Sequence, residues 1–490
     1  MFKDERRCAV WNKLRQRDIR AYSGKLTNAV FQEAASQADL RIGKNPLNFA
    51  NLVWLGIASA MHATTNFAQV LTTTLRVLED QQEFYQSQIG KEKEKAKRKK
   101  RYAKHKHLPY RDDPTQVTEE AFAGARRRMP LRFWMSLIMI LGEKFECDHR
   151  EQHQFCGFRV LAMDGTRIDV PNWEANKNYF GRAKNKSGAH QTQARMMMLQ
   201  FPFTRLPYRY ELSPLSNSEI TMALRLVMHL KPKDLVLMDA GYWSYQLLWA
   251  IVNQEAYFAL RMRKSLTLRT IRRLQKDGRD RLVSWTPKDS RGNWRKLGLP
   301  KSIELRVIQY RVPGFRMQSI VTNVTDPKQI SREDWTRLTT DCEQAKRILL
   351  QPGLFHRRWE IEISYHELKV DLGMNENLRG RSPGSIEYEV AGYVTYYLLL
   401  RWLIVEAADK HKLNPLRLSF VEAKRELETM HAALLIATER WASEELLPRL
   451  LDRIAEHQVV VRPGRHFPRN KKQKKQHTNS KCKSPLKLAA

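Results

Sequence analysis

Two short apolar runs constrain this chain more than any other feature, because each ends in an aspartate followed by residues that suit a tight turn. FRVLAMDG closes on Asp164 and DLVLMDAGYW carries Asp239. A short apolar run bounded by turn formers reads as a buried strand, so each acid is expected where a strand gives way to a turn. Between them, QTQARMMMLQF and PYRYELS form two more strand candidates joined by a proline-bounded turn, and Ser218 to Leu230 has helical periodicity. After Asp239, Tyr245 to Asn253 reads as a helix before the strand AYFALRM.

The order is therefore three strands, helix, strand, helix, strand. An α/β fold with an RNase H-like catalytic core is expected from it, since there a meander of early strands precedes later ones that alternate with helices. A third acid comes from LFHRRWEIEISYHELKVDLG, Leu354 to Gly373, which follows Pro352-Gly353 and predicts one helix of about five turns. On such a helix Arg358, Glu362 and Lys369 share a side, and one carboxylate is flanked by two cations. Taken alone, that spacing is also that of an ordinary surface ion pair.

Charge narrows the function. The chain has 86 Lys and Arg against 52 Asp and Glu, a net charge of +34, which calls for a polyanionic partner such as nucleic acid. Lys91 to His107 carries ten Lys/Arg and two Glu, and Arg462 to Ala490 carries ten Lys/Arg and no acid, so these two stretches supply 18 of the 34 charges. The remainder lies on segments that should fold, which favours a duplex-binding body over a neutral enzyme with sticky ends. Five scattered cysteines (Cys8, Cys147, Cys156, Cys342, Cys482) argue for a reducing compartment. The N-terminus lacks a signal-peptide core, and Val390 to Ala408 is interrupted by Arg401, so a buried helix is expected and no membrane partner. Cys147, His149, His153 and Cys156 lie close together, but C-x-H-x3-H-x2-C fits no familiar structural zinc spacing.

The expected organisation is a helical N-terminal region (1–90), a candidate for DNA binding, then a basic linker (91–114) and a helical segment leading into the core (115–157). The core's first part (158–263) is interrupted by a mainly β insertion (264–341) that contains IELRVIQYRV, FRMQSIVTNV, Trp285 and Trp294. The core's second part with C-terminal helices (342–461) and a disordered basic tail (462–490) complete it. In the segment 115–157, Thr118 is a candidate N-cap, and Arg126, Arg127 and Arg128 suit the last turn of a helix.

Three carboxylates on separate segments suit phosphodiester chemistry. Two Mg²⁺ ions can activate an oxygen nucleophile, neutralise the transferring phosphoryl and stabilise the leaving oxygen, and Mg²⁺ prefers a few hard carboxylate ligands. Asp164, Asp239 and Glu362 are the candidates. Asp169 points to the other strand face, Asp234 precedes its strand, and Glu360 lies about 200° around the helix from Glu362.

At these residues the chain resembles the DDE transposases of bacterial insertion sequences, the insertion-sequence-four family. The likeness runs from about Val117 to Tyr397. It rests on Asp164-Gly165-Thr166, Pro171, Asn176, Phe180-Gly181 and Gly188, on Asp239, Gly241 and Tyr242, and on the signature Y-x2-R-x3-E-x6-K, met by Phe355, Arg358, Glu362 and Lys369. Phe355 stands where the signature has Tyr and cannot donate the phosphate hydrogen bond that a hydroxyl implies.

The resemblance implies a bacterial cytoplasmic, nucleoid-associated enzyme, active as a homodimer on double-stranded DNA. It would bind terminal inverted repeats, cleave at the transposon ends and join the 3′-OH to target DNA, with two Mg²⁺ that Mn²⁺ can replace. It further implies that Asp164, Asp239 and Glu362 are the catalytic metal ligands, that Arg358 and Lys369 bind phosphates, and that a Trp of the insertion, Trp294 or Trp285, stacks on a flipped base. A nuclease of the same fold would keep the acids without the Arg358 and Lys369 spacing. A non-catalytic descendant would have lost an acid.

Overall fold

The computed structural model describes residues 25–42, 49–61, 119–184, 190–263, 266, 268–287, 293–311, 317–336, 353–436 and 441–459. The basic linker, the C-terminal tail and Thr118 lie outside them. Eleven strands build one mixed sheet: β1 Gln154–Phe155, β2 Phe158–Asp169, β3 Arg182–Lys184, β4 His190–Phe201, β5 Leu206–Pro214, β6 Asp234–Met238, β7 Tyr257–Arg261, β8 Arg269–Arg273, β9 Asp280–Trp285, β10 Ile303–Tyr310 and β11 Gln318–Thr322. The longer helices are α1 Asn28–Gln37, α2 Phe49–Met61, α3 Glu119–Arg128, α4 Leu131–Asp148, α5 Glu174–Phe180, α6 Glu219–Val227, α7 Tyr245–Asn253, α8 Glu360–His366, α9 Pro383–Lys410, α10 Phe420–Ile436 and α11 Leu447–Glu456.

Strands β2, β4 and β5 form an antiparallel meander, and β6 then joins the other side of β2 in parallel, followed by β7 in parallel. The order β5-β4-β2-β6-β7 follows from the sequence: β6 and β7 are short and apolar and each is reached through a helix, which a parallel connection requires. The helices are capped by side-chain oxygens that accept a backbone N–H of the first turn, from Thr27 on α1, Ser218 on α6 and Ser244 on α7.

Beyond β7 the sheet does not stop. β11, β10, β9 and β8 continue it as an antiparallel series, with Ile320 opposite Arg261 at the junction with β7. The strands read from sequence as an insertion therefore extend the central sheet. Pairing onto β7 satisfies the backbone edge that an isolated hairpin would leave open.

α9 is buried almost all round, from Ser385 to Ala408. Among the described residues it is the one helix long and apolar enough to cross a membrane, and here it is a core helix. At its crossing with α2, Gly392 lies so near the backbone of Gly56 that a Cβ would stand 2.7 Å from the Gly56 carbonyl oxygen. Any side chain at position 392 would force the two helices apart.

Candidate active site

The first two acids are brought together by parallel pairing. Ala162 on β2 is opposite Leu237 on β6, and Asp164 and Asp239 each stand two residues further along. Strands in a sheet lie about 4.8 Å apart, so continuing that register sets Asp239, one residue past β6, beside Asp164. Asp164 is not at the end of its strand, as its sequence suggested. β2 runs on to Asp169, because residues 165–169 still pair with Gln193–Met197 of β4. Asp239 directly follows Met238, the last residue of β6, and caps the adjoining turn, its Oδ1 accepting the backbone N–H of Gly241 at 2.7 Å.

Asp164 is mostly buried. Its Oδ1 accepts from the backbone N–H of Gly165 at 2.8 Å and from the hydroxyl of Tyr242 at 3.2 Å. Burial pushes its carboxyl up to about 6; the bonds from Gly165 and Tyr242 and the charge of Arg358 oppose that rise, and Asp239 adds to it. Asp164 therefore carries a charge that its surroundings only partly balance. Tyr242 is itself buried, and burial next to the Asp164 charge keeps its hydroxyl protonated as a donor.

The segment carrying the third acid is helical but not one regular helix. Leu354–Trp359 is a 3₁₀ turn, α8 is α-helical, and Glu367–Asp371 is a π turn that ends at Gly373 with φ +71°. The single helix expected over Leu354 to Gly373 is thus corrected to three pitches. The physical reason is that the side chains to be placed lie on different neighbours: Leu354 and Phe355 enter an apolar cluster, Glu367 enters a buried charge network, and Lys369 reaches β2. A π turn inserts an extra residue and re-aims the side chains beyond it.

Arg358 donates from Nη2 to Glu362 Oε1 at 3.0 Å, and its Nη1 stands 3.8 Å from Asp164 Oδ2 with no hydrogen-bond partner although it is buried. The guanidinium thus links the third acid to the first. Lys369 does not join it. Its Nζ donates to Thr166 Oγ1 at 2.5 Å and to the Arg167 carbonyl at 2.9 Å, beside the strand that carries Asp164, and burial pulls its ammonium below the usual lysine range while Asp169 opposes that fall.

Among the described residues, no three acidic, His or Cys side chains are close enough as they stand to hold a metal between them. Asp164 and Asp239 adjoin, whereas Glu362 is turned to Arg358. The acids set aside in the sequence have structural partners: Asp234 binds Arg159 through both oxygens, and Glu360 is buried against Arg205 and Arg357. Gln193 occupies Asp169.

Three further residues matter. Phe355 is buried in the same apolar cluster as Leu235, Leu237 and Trp335. Trp285 is buried, with Trp243 and Tyr245 packed edge-on at 5.1 and 5.3 Å, whereas Trp294 is half-buried beside Tyr245. Tyr365 was missed in the sequence, although its hydroxyl donates to the Asp164 carbonyl at 2.6 Å. Its only sequence signal is a place three residues after Glu362.

Two aspartates thus adjoin near one end of the parallel strands β2 and β6, and a helical segment with a glutamate and two cations lies beside them. The chain belongs to the DDE transposases: residues 156–399 match the transposase DDE domain. It is a DNA transposase. It is similar to the transposase InsG for insertion sequence element IS4 of Escherichia coli (strain K12), with 27% identity over 64% of this chain and 68% of that protein. It also has a likeness to the piggyBac transposase in a synaptic complex with hairpin DNA, at 12% identity and a TM-score of 0.35 over 72% of this chain and 69% of that one.

Proposed function

We propose that this transposase binds the terminal inverted repeats of its element as a dimer, cleaves at the ends and transfers the freed 3′-OH strand into target DNA, using two Mg²⁺ ions that Mn²⁺ can replace. The strand order β5-β4-β2-β6-β7 supports an RNase H-like core. The observation that carries the proposal is the parallel register of β2 and β6, whose extension by two residues sets Asp164 beside Asp239, with Asp164 mostly buried and its carboxyl raised.

The donor set fits divalent hard cations. It is all carboxylate oxygen, and the raised carboxyl of Asp164 marks a charge deficit that such a cation would relieve. Asp164, Asp239 and Glu362 would hold the ions. When bound, these would activate the attacking oxygen and balance charge on the phosphoryl and leaving oxygens.

Glu362 first gives up its bond to Arg358. The released guanidinium, whose Nη1 makes no hydrogen bond among the described residues, offers a planar fork to a phosphate. Lys369 steadies the strand beyond Asp164 through Thr166 and Arg167, and is the second phosphate cation when DNA enters. Trp294, more open than Trp285, is the stacking platform for a displaced base.

The net charge of +34 supports phosphate contacts by the linker and tail, and a nucleoid-associated place in the bacterial cytoplasm. Purified protein incubated with end-containing DNA and Mg²⁺ should yield nicked, hairpin or joined products. Cleavage by Asp164→Ala at the wild-type rate would sink the proposal.

A further inference from the structure

Two tyrosines occupy matching places in the elements that carry the second and third acids. Tyr242 follows Asp239 by three residues, at the end of the 3₁₀ turn Ala240–Tyr242, and Tyr365 follows Glu362 by three residues in α8. In both kinds of turn a residue three further on returns to nearly the same side. Both hydroxyls converge on one residue, Asp164: Tyr242 donates to its carboxylate at 3.2 Å, and Tyr365 to its backbone carbonyl at 2.6 Å. Both side chains are buried, with 2% and 5% exposure.

Space for this convergence comes from Gly165. A Cβ there would lie 3.4 Å from the Tyr242 oxygen and 3.3 Å from Cγ of Glu219. Asp164 thus accepts one hydroxyl from each of the two elements whose acids must meet it, although Tyr242 and Tyr365 are 78 and 201 residues away along the chain.

We propose that Tyr242 and Tyr365 are positioning residues that register the turn bearing Asp239 and the helix bearing Glu362 onto Asp164, and so set the spacing of the metal-binding carboxylates. Tyr242 acts on the carboxylate itself. It occupies Oδ1 and leaves Oδ2 for a cation. Tyr365 acts on the strand, pinning α8 against β2 so that Glu362 is held beside Asp164 once it leaves Arg358. The inference rests on the three acids being the metal ligands, and its failure can be told from failure of that assignment.

The test is Mn²⁺ binding to the full chain without DNA, read by the electron paramagnetic resonance of free Mn²⁺ at low temperature, together with melting temperature and end-DNA binding in EDTA. Asp164→Asn controls for the metal assignment: if it binds Mn²⁺ as the wild type does, the assignment itself falls. Given loss of Mn²⁺ in Asp164→Asn, Tyr242→Phe is expected to weaken Mn²⁺ about tenfold or more, the usual effect of removing a hydrogen bond to a metal-bound carboxylate. End-DNA binding in EDTA should stay within about twofold, since neither hydroxyl is placed against DNA.

Tyr365→Phe should weaken Mn²⁺ in the wild-type background and have no further effect in Glu362→Gln, because its action passes through Glu362. Wild-type Mn²⁺ affinity in both Phe variants overturns the inference, even if both melt earlier, since the hydroxyls would then serve stability alone. An equal loss from Tyr365→Phe with and without Glu362 overturns the role given to Tyr365.

Discussion

The helical segment from Leu354 to Asp371 has two sides that use the same residue types to opposite ends. On one side Glu360 and Glu367 are almost fully buried, with side-chain exposures of 3% and 5%. Arg205 binds both at 2.7 and 2.9 Å, Arg401 binds Glu367, and the Tyr397 hydroxyl donates to Glu367 at 2.7 Å. On the other side Glu362 is 40% exposed and, among the described residues, has Arg358 alone as a partner, which also faces Asp164. A buried carboxylate with two guanidinium groups and a hydroxyl has its charge met within the fold. One at the rim with a shared guanidinium has charge to spare for a ligand. The difference shows that a Glu-Arg spacing says nothing about role until the number of cations per acid is known.

Breaking the buried side should produce the largest change in stability. Glu367→Ala leaves Arg205 and Arg401 buried without their shared acid, and removal of one partner from such a pair costs about 3–5 kcal/mol. Thermal melting should show this. A loss under about 1 kcal/mol would mean that the network is idle. Glu362→Gln should do the reverse: the melting temperature stays close to wild type, while end cleavage falls about a thousandfold, roughly 4 kcal/mol of activation free energy. If Glu362→Gln instead melts early and still cleaves, the two sides have been assigned the wrong way round.

Proton linkage separates them further. Burial would raise the Glu367 carboxyl, but Arg401, Arg205 and Tyr397 outweigh it and hold it below the usual glutamate range. The unfolded chain thus binds the proton more readily. The stability contributed by Glu367 is fully present above the unfolded value of about 4.5 and is lost as pH falls through the lower folded value. Asp164 has the opposite sign: its folded value of about 6 lies above the unfolded one, so its ionisation costs stability as pH rises from about 4 to 6. Melting of metal-free protein across pH 3 to 7 should therefore show an acid limb that Glu367→Gln flattens and Asp164→Asn leaves in place.

The smallest effect concerns Phe355→Tyr, which restores the aromatic of the family signature. Phe355 packs among Leu235, Leu237 and Trp335, where a new hydroxyl costs about 1–3 kcal/mol unless it finds a partner. Melting should fall by that amount with no gain in cleavage. A gain would place residue 355 at the phosphate.

Much of the candidate site was legible because its signals are local. Asp164 and Asp239 stand in apolar strand runs, and Arg358, Glu362 and Lys369 are spaced on one short segment. The strand meander with its later alternating helices was legible for the same reason, as periodicity of two or near four is a property of neighbours in the chain. What failed was local reading extended too far. Gly165 looked like the turn after a strand, yet β4 keeps pairing with residues 165–169. Leu354 to Gly373 looked like one helix, yet its side chains answer to three separate neighbours and the pitch changes twice.

The sequence by itself determined the three candidate acids, their order along the chain, the basic character of the whole and the resemblance to a transposase family. Tertiary structure alone decided that Arg358 spans Glu362 and Asp164, that Lys369 holds the strand beyond Asp164, that β8–β11 lengthen the central sheet, and that Tyr242 and Tyr365 meet at Asp164. The physical reason is separation along the chain. Tyr365 and Asp164 are 201 residues apart, and Arg205 and Glu367 are 162 apart, so no pattern of neighbouring residues records that they touch. Burial and pairing across the sheet bring them together, and that contact fixes what each charge does.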